Sequence, residues 1–322
     1  MRVLITGVSG FAGSFLADAL VAQKQTQPDL EVWGVSQSSE MPRNANAQIH
    51  LARGDLTDPR FTANLISKLS PDRIYHLAAQ AFVPISWQDP WATLENNIRA
   101  QTNLLHAAAQ NRSRARILIV ASQEEYGRVT PADLPLNEDT PLRPDSPYGV
   151  SKIAQDYLGL QYFISHQMHI VRVRPFNHIG PRQNERFVAA NFAKQVAEIE
   201  AGLRAPKLCV GNLDAQRDFT DVRDMVRGYI LALERGIAGQ VYNIGSGKPR
   251  TIHALVETYQ QLTRVPFDIE FDPQRMRPSD TPVSYCDTTK FYQATGWEPE
   301  IPFEQTLEDT LNYWRARIQR DG

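Results

Sequence analysis

Apolar positions in the first half of the chain fall into short runs separated by longer stretches of helical period. The runs cover 3–5, 31–35, 48–52, 73–77, 117–121 and 170–174, and each is rich in Val, Ile and Leu. Between them, apolar residues recur at three- and four-residue steps over 11–22, as in Phe11, Phe15, Leu16 and Leu20, and again over 93–110 and 147–166. Short runs alternating with amphipathic helices predict a parallel sheet with helices on both faces. The stretches 23–29 and 38–47 are polar and read as loops.

The texture changes at Pro175, after which Pro181, Pro206, Pro266 and Pro273 help to break the chain into short elements. This predicts a domain over 1–174 and a smaller α/β lobe over 175–322. The second half also holds a helical stretch at 221–235 and a strand-like run at 240–244, so about 218–245 is expected to return to the first domain. A ligand in such a fold sits beyond the carboxyl ends of the strands, between the two lobes.

Composition narrows the classes. The 322 residues are 42% hydrophobic and 22% charged, which is enough material for a sizeable core. A net charge of −2, with no basic run interleaved with aromatics, argues against nucleic acid or an anionic membrane as partner. Cys209 and Cys286 stand alone, and the seven histidines show no ligand spacing, so no metal site and no disulfide framework are expected. No apolar stretch reaches bilayer length, and a soluble protein of the reducing cytoplasm fits best.

The opening run ends in Thr6-Gly7-Val8-Ser9-Gly10-Phe11-Ala12-Gly13 and passes straight into the first helix. Strand, glycine turn and helix in that order make a phosphate cradle, because glycine allows a tight turn and close approach to helix amides. The spacing is GxxGxxG. Alone it could mark tight packing, but its place after an opening strand favours a dinucleotide.

Tyr148 and Lys152 stand four residues apart in a helical stretch and so share one face. A tyrosine titrates near ~10, and a neighbouring ammonium is expected to lower that value by stabilising the phenolate. Ser122 closes the run 117–121 and places a hydroxyl at the same sheet edge. Singly, each residue is ordinary on a helix surface or in a turn. Together they suit proton transfer to a carbonyl.

With the glycine turn, Ser122, Tyr148 and Lys152, the chain resembles the extended short-chain dehydrogenase/reductase family over nearly its whole length. The resemblance implies a Rossmann-type doubly wound sheet with a smaller substrate-binding lobe. It also implies that Tyr148 donates the proton, Lys152 tunes it and holds the nicotinamide ribose, and Ser122 positions the carbonyl. Gly7, Gly10, Phe11, Gly13, Ser36, Gln37, Asp55, Leu56, Leu77, Ala78, Ala79 and Asn97 are the expected cofactor contacts. The run Val35-Ser36-Gln37-Ser38-Ser39 lacks a carboxylate before Glu40, so nothing there repels a 2′-phosphate and NADP(H) is favoured over NAD(H). Arg43 lies close enough in sequence to contribute.

Within the family, Arg174-Pro175-Phe176-Asn177-His178-Ile179-Gly180-Pro181-Arg182, Arg217-Asp218-Phe219 and Arg277-Pro278-Ser279-Asp280 resemble the branch that processes GDP-mannose. Guanidinium groups suit a diphosphate. The branch more often has glutamate where this chain has Asp280. Ser86, Ser122, Asn177, Val188, Lys194, Arg217, Arg277 and Asp280 are the expected substrate contacts. Dehydratases of the branch carry glutamate at the position of Glu124 beside a threonine, whereas this chain pairs Glu124 with Ser122. The resemblance favours reduction of the C4 ketone of a GDP-4-keto-6-deoxy sugar, in a homodimer formed through helices such as 93–110. Dehydration of GDP-mannose, 4-epimerisation and a non-catalytic NADP-binding role are the alternatives.

Overall fold

The computed structural model describes residues 1–37, 48–275 and 281–321. The expected loop at 38–47, with Ser38, Ser39, Glu40 and Arg43, lies outside the described residues, as do Arg277 and Asp280.

All six sheet runs of the first half form strands: β1 (Arg2–Thr6), β2 (Glu31–Ser36), β3 (Ile49–Arg53), β4 (Arg73–His76), β5 (Arg116–Val120) and β6 (Ile170–Pro175). They are followed by β7 (Asn177–Ile179), β8 (Lys207–Val210), β9 (Gln216–Asp221) and β10 (Val241–Ile244). The central sheet has the order β10-β6-β5-β4-β1-β2-β3, and every pairing in it is parallel. Strand order reverses between β1 and β4. The connections that follow those two strands therefore leave to opposite faces of the sheet and open a crevice at its carboxyl edge, the usual ligand position in such a sheet.

The helices are α1 (Phe11–Ala22), α2 (Pro59–Leu69), α3 (Val83–Gln88), α4 (Pro90–Gln110), α5 (Pro147–His166), α6 (Val188–Glu200) and α7 (Val222–Arg235), with further helices towards the end of the chain. Buried residues of α2, α4 and α5, such as Ile66, Leu104 and Tyr162, pack with Ile117 and Ile119 on one face of the sheet. Leu16 of α1 and Val226 of α7 cover Val3 and Val173 on the other. A separate core gathers Phe192 and Val196 of α6 with Leu208, Leu255, Leu307 and Trp314. Among the described residues no helix is long and apolar enough to cross a membrane.

Local chemistry explains most boundaries. α5 starts at Pro147 because Ser146 accepts from the Gly149 amide at 3.0 Å and Pro147 has the fixed φ of a first helical residue. That start places Tyr148 and Lys152 on the first turns. α4 begins three residues before the expected 93, because Asp89 caps it by accepting from Ala92 ahead of a proline. α2 is not apparent from the apolar pattern alone, yet Asp58 caps it and its Leu65, Ile66 and Leu69 are buried. The polar stretch 23–29 contains a single 3₁₀ turn, Gln23–Gln25.

Candidate active site

The turn after β1 has no room for side chains. Gly7 has φ +72°, and a Cβ there would lie 2.9 Å from the Ala78 nitrogen; at Gly13 it would lie 2.1 Å from the Gly7 oxygen. β1 and the segment after β4 are thus pressed together at the crevice. α1 opens at Gly10 with no side-chain cap and no acidic residue in its first turn. Its first amides are left for an outside acceptor, and the positive end of the helix favours an anion there. The cradle fits the pyrophosphate of a dinucleotide.

Around it, the Ala78 amide donates to the Thr6 hydroxyl at 3.2 Å. Leu77 and Ala79 flank that contact at the end of β4. Phe11 stacks on His178, with ring centroids 5.7 Å apart, and joins α1 to the segment after β6. Ser36, at the end of β2, donates to Ser9 at 3.2 Å. Burial would raise the Asp55 carboxyl, but hydrogen bonds from Thr57 and Gln37 outweigh it and hold the group below its ordinary range. Leu56 is a core residue whose carbonyl accepts from Asn103 at 2.9 Å.

Asn97 holds the protein rather than presenting a free amide. Its Oδ1 accepts from the Gln80 amide at 2.7 Å, while Nδ2 donates to the Gln80 carbonyl at 3.2 Å and to Ser151 at 2.9 Å. Both ends of the amide tie the loop after β4 to α5.

Ser122, Tyr148 and Lys152 come together at the carboxyl end of β5, all buried. The Ser122 hydroxyl draws the phenol down and accepts from the Glu124 amide at 3.1 Å. Lys152 Nζ donates to the Val120 carbonyl at 2.9 Å and lies 5.8 Å from the centroid of the Tyr148 ring. The expected lowering of the phenol by Lys152 is not what this geometry gives. Burial pushes Tyr148 well up, more than the Ser122 hydroxyl draws it down, and the charges of Glu124 and Glu125 add to the rise. The phenol keeps its proton across the physiological range, as a donor must.

Burial also draws Lys152 down to about 8, with Glu125 opposing. Lys152 is charged below that pH and neutral above it, so its support for a phenolate is lost as pH rises. kcat/KM is therefore expected to fall on the alkaline side with an inflection around pH 8, and Lys152→Arg is expected to move that limb to higher pH. A flat profile from pH 7 to about 10 would exclude the role.

Two buried groups beside the trio escaped sequence reasoning. His76 is drawn down to about 3 by burial and by the Lys152 charge, so it stays neutral, paired through Nδ1 with Thr6 at 2.9 Å. Glu125 accepts from the Ser122 amide at 3.1 Å and pairs with Arg174 at 3.0 Å. The alternation of Arg172 and Arg174 on one face of β6 was the available signal.

The substrate side departs further from expectation. Arg174 is fully engaged beneath the site by Asp156 at 2.6 Å and by Glu125, and offers nothing to a diphosphate. Arg182 pairs with Asp18 at 2.7 Å. Ser86 is buried and donates to its own helix at Val83, 2.7 Å away. Lys194 is held by Glu185 at 2.6 Å and Glu198 at 3.4 Å, and Val188 packs on the second core. Arg217 donates to the Gln216 and Thr281 carbonyls, while Asp218 turns the other way, to Ser246, Gly247 and Cys286. Asn177 meets the catalytic loop through Gln123 at 3.4 Å, and its Nδ2 is buried with no partner among the described residues. Among the described residues no cluster of His, Cys, Asp or Glu could hold a metal ion.

A dinucleotide cradle beside a buried serine, tyrosine and lysine defines a nucleotide-dependent oxidoreductase of Rossmann type. Residues 4–310 match the family model described as GDP-mannose 4,6 dehydratase, and the chain belongs to that family, within the extended short-chain dehydrogenases/reductases. It is 36% identical over 320 residues to GDP-6-deoxy-D-mannose reductase of Pseudomonas aeruginosa, covering 99% of each chain. Its fold superposes on the structure of RMD from Pseudomonas aeruginosa complexed with NADPH, with a TM-score of 0.85 and 35% identity over 98% of this chain and 99% of the other. The UDP-glucose 4-epimerase of Thermotoga maritima gives a TM-score of 0.88 at 27% identity, over 99% of this chain and 100% of the other. Backbone likeness alone therefore does not separate reductase from epimerase.

Proposed function

We propose that the protein reduces the C4 ketone of GDP-4-keto-6-deoxy-D-mannose to a GDP-6-deoxyhexose, either GDP-D-rhamnose or GDP-6-deoxy-D-talose. NADPH is the favoured donor and NADH the alternative. The observation that carries the reading is the meeting of Ser122, Tyr148 and Lys152, all buried, at the carboxyl end of β5. The full-length likeness to a reductase supports it, and the NADPH in a related structure supports the cofactor.

A nicotinamide cofactor held by the cradle and by Lys152 would supply the hydride for C4. Ser122 and Tyr148 hold O4, and Tyr148 passes its proton to the developing alkoxide. Lys152, anchored on Val120, stabilises the phenolate left behind. Gly7, Gly10 and Gly13 with the first amides of α1 receive the pyrophosphate, and Asn177 and Arg217 face the nucleotide sugar; Arg277 and Asp280, the other expected contacts, lie outside the described residues. We divide the chain into a cofactor domain of 1–174 that takes in about 218–245, supported by the pairing of β10 with β6, and a sugar-nucleotide lobe made of the rest of 175–322.

The retained Glu124 favours the dehydratase as second reading, because a carboxylate beside Ser122 is where a base for C5 would stand. One assay separates the readings. GDP-4-keto-6-deoxymannose with NADPH is expected to lose nicotinamide absorbance stoichiometrically, and NMR of the product reads C4. Formation of the keto sugar from GDP-mannose without reduced cofactor would overturn the reductase, and an epimer formed without net cofactor change would favour the epimerase.

Two copies are proposed to pair through α4 and α5, in the cytoplasm. Val150, Tyr157 and Ile164 are exposed at seven-residue steps on α5, with Trp91 exposed on the first turn of α4 and Trp87 exposed on α3 just before it. Such an apolar stripe fits a second helical face. Sedimentation is expected to give a dimer, and Tyr157→Glu with Ile164→Glu a monomer.

A further inference from the structure

Gln123 sits inside the catalytic loop, between Ser122 and Glu124, and is itself buried. Its amide is held at both ends. Ser284 of the short strand Val283–Ser284 donates to Oε1 at 2.7 Å. Nε2 lies 3.4 Å from a Glu124 carboxylate oxygen and 3.4 Å from Oδ1 of Asn177.

Those contacts fix directions even where they are long. A carboxylate only accepts, so the end of Gln123 turned towards Glu124 must be its nitrogen. With Nε2 a donor, the atom of Asn177 that faces it must be the carbonyl oxygen. The amide nitrogen of Asn177 is thereby turned away from the loop, where it is buried without a partner among the described residues. A buried donor left unmatched is costly, and in this cleft an acceptor oxygen from a ligand would satisfy it.

We infer that Gln123 is a positioning residue that fixes the sense of the Asn177 amide, so that a donor meets an acceptor oxygen of the sugar nucleotide. The inference rests on the reading of the cleft as a sugar-nucleotide site. It also gives Glu124 work in a reductase that needs no base at C5: its charge sets the direction of Gln123, and Gln123 sets that of Asn177. Ser284, on the far side, keeps the amide from rotating.

The test is a double-variant cycle read by calorimetric binding of GDP-mannose, which carries no ketone and so is independent of turnover. Gln123→Met keeps the length and removes the amide. Gln123→Met and Asn177→Ala are each expected to weaken binding by about 10-fold, the size of one buried hydrogen bond. The double variant is expected to be no weaker than Asn177→Ala alone. Gln123→Glu, which brings Asn177 round to offer its oxygen, is expected to weaken binding by at least as much and to raise KM for the keto sugar with kcat within about 2-fold. NADPH affinity is expected to stay unchanged throughout.

Additive losses in the cycle, or equal losses of NADPH and GDP-mannose affinity, would overturn the inference. Should Gln123→Met not fold, Ser284→Ala releases the other end of the same amide and is expected to weaken binding about 3-fold. A wild-type protein that binds GDP-mannose but does not reduce the keto sugar sinks the proposed reaction and leaves the cycle to judge Gln123. One that binds no GDP-mannose sinks both.

Discussion

Tyr148→Phe is expected to fold, to bind NADPH as tightly as the parent and to reduce the keto sugar about 10³-fold more slowly, in the middle of the range for general acid catalysis. The substitution removes one oxygen from a buried ring whose backbone is fixed by the Ser146 cap at the start of α5. That oxygen stands beside Ser122 at the end of β5 and carries a proton that burial retains. Without it, O4 would develop negative charge with only a serine hydroxyl to meet it. Cofactor affinity is expected to survive because the cradle lies at Gly7 and Gly13, where the fit depends on backbone approach to Ala78 and to Gly7 itself. The loss corresponds to about 4 kcal/mol of barrier, and it should fall on kcat in single-turnover measurements with cofactor and substrate saturating. Turnover within a few-fold of the parent would mean that the proton comes from elsewhere, and the assignment of Tyr148 would fail.

The strands, the glycine turn and the catalytic trio were legible because each depends on residues close in sequence. Ser146-Pro147 announces the helix that carries Tyr148 and Lys152, and a glycine turn needs only its own backbone. The groups that meet across long separations were not legible. Lys152 was expected to acidify Tyr148, but the sequence does not reveal that both are buried and that Val120 takes the ammonium. Arg174 stands in a run that looked suited to a diphosphate, yet it points under the sheet edge to Asp156, eighteen residues away on α5. Asn97, Ser86 and Lys194 have the right chemistry for ligands and find partners within the chain. Gln123 was silent in the sequence because an amide acquires a direction only from the groups at its two ends.

Asp156→Ala is expected to be the most damaging change to stability, and the reason is the ion network beneath the trio. Asp156 is wholly buried on α5 and receives Arg172 at 2.7 Å and Arg174 at 2.6 and 3.0 Å. Arg174 also reaches Glu125 at 3.0 Å and the Tyr126 hydroxyl at 3.2 Å. Two guanidinium groups thus share two buried carboxyl groups, of which burial and the Asp156 charge push Glu125 well up. Removing Asp156 strands one buried positive charge, a loss of about 3–5 kcal/mol when one partner of a buried pair is deleted. In a chain of this size that lowers Tm by roughly 4–7 °C. The exposed pair of Glu95 and Arg99 on α4 is the control: Arg99→Ala is expected to change stability by about 0.5 kcal/mol or less.

Activity should fall with the network as well, through Glu125. Burial, and after it the Asp156 charge, raise the Glu125 carboxyl, and Arg174 opposes them, so deleting Asp156 leaves Arg174 to Glu125 alone. A Glu125 drawn further towards Arg174 would slacken its hold on the Ser122 amide, loosening the hydroxyl that aligns O4. Asp156→Ala is therefore expected to lower kcat even at temperatures where it remains folded. A stable Asp156→Ala protein with undiminished kcat would show that the buried charges are neither structural nor coupled to Ser122.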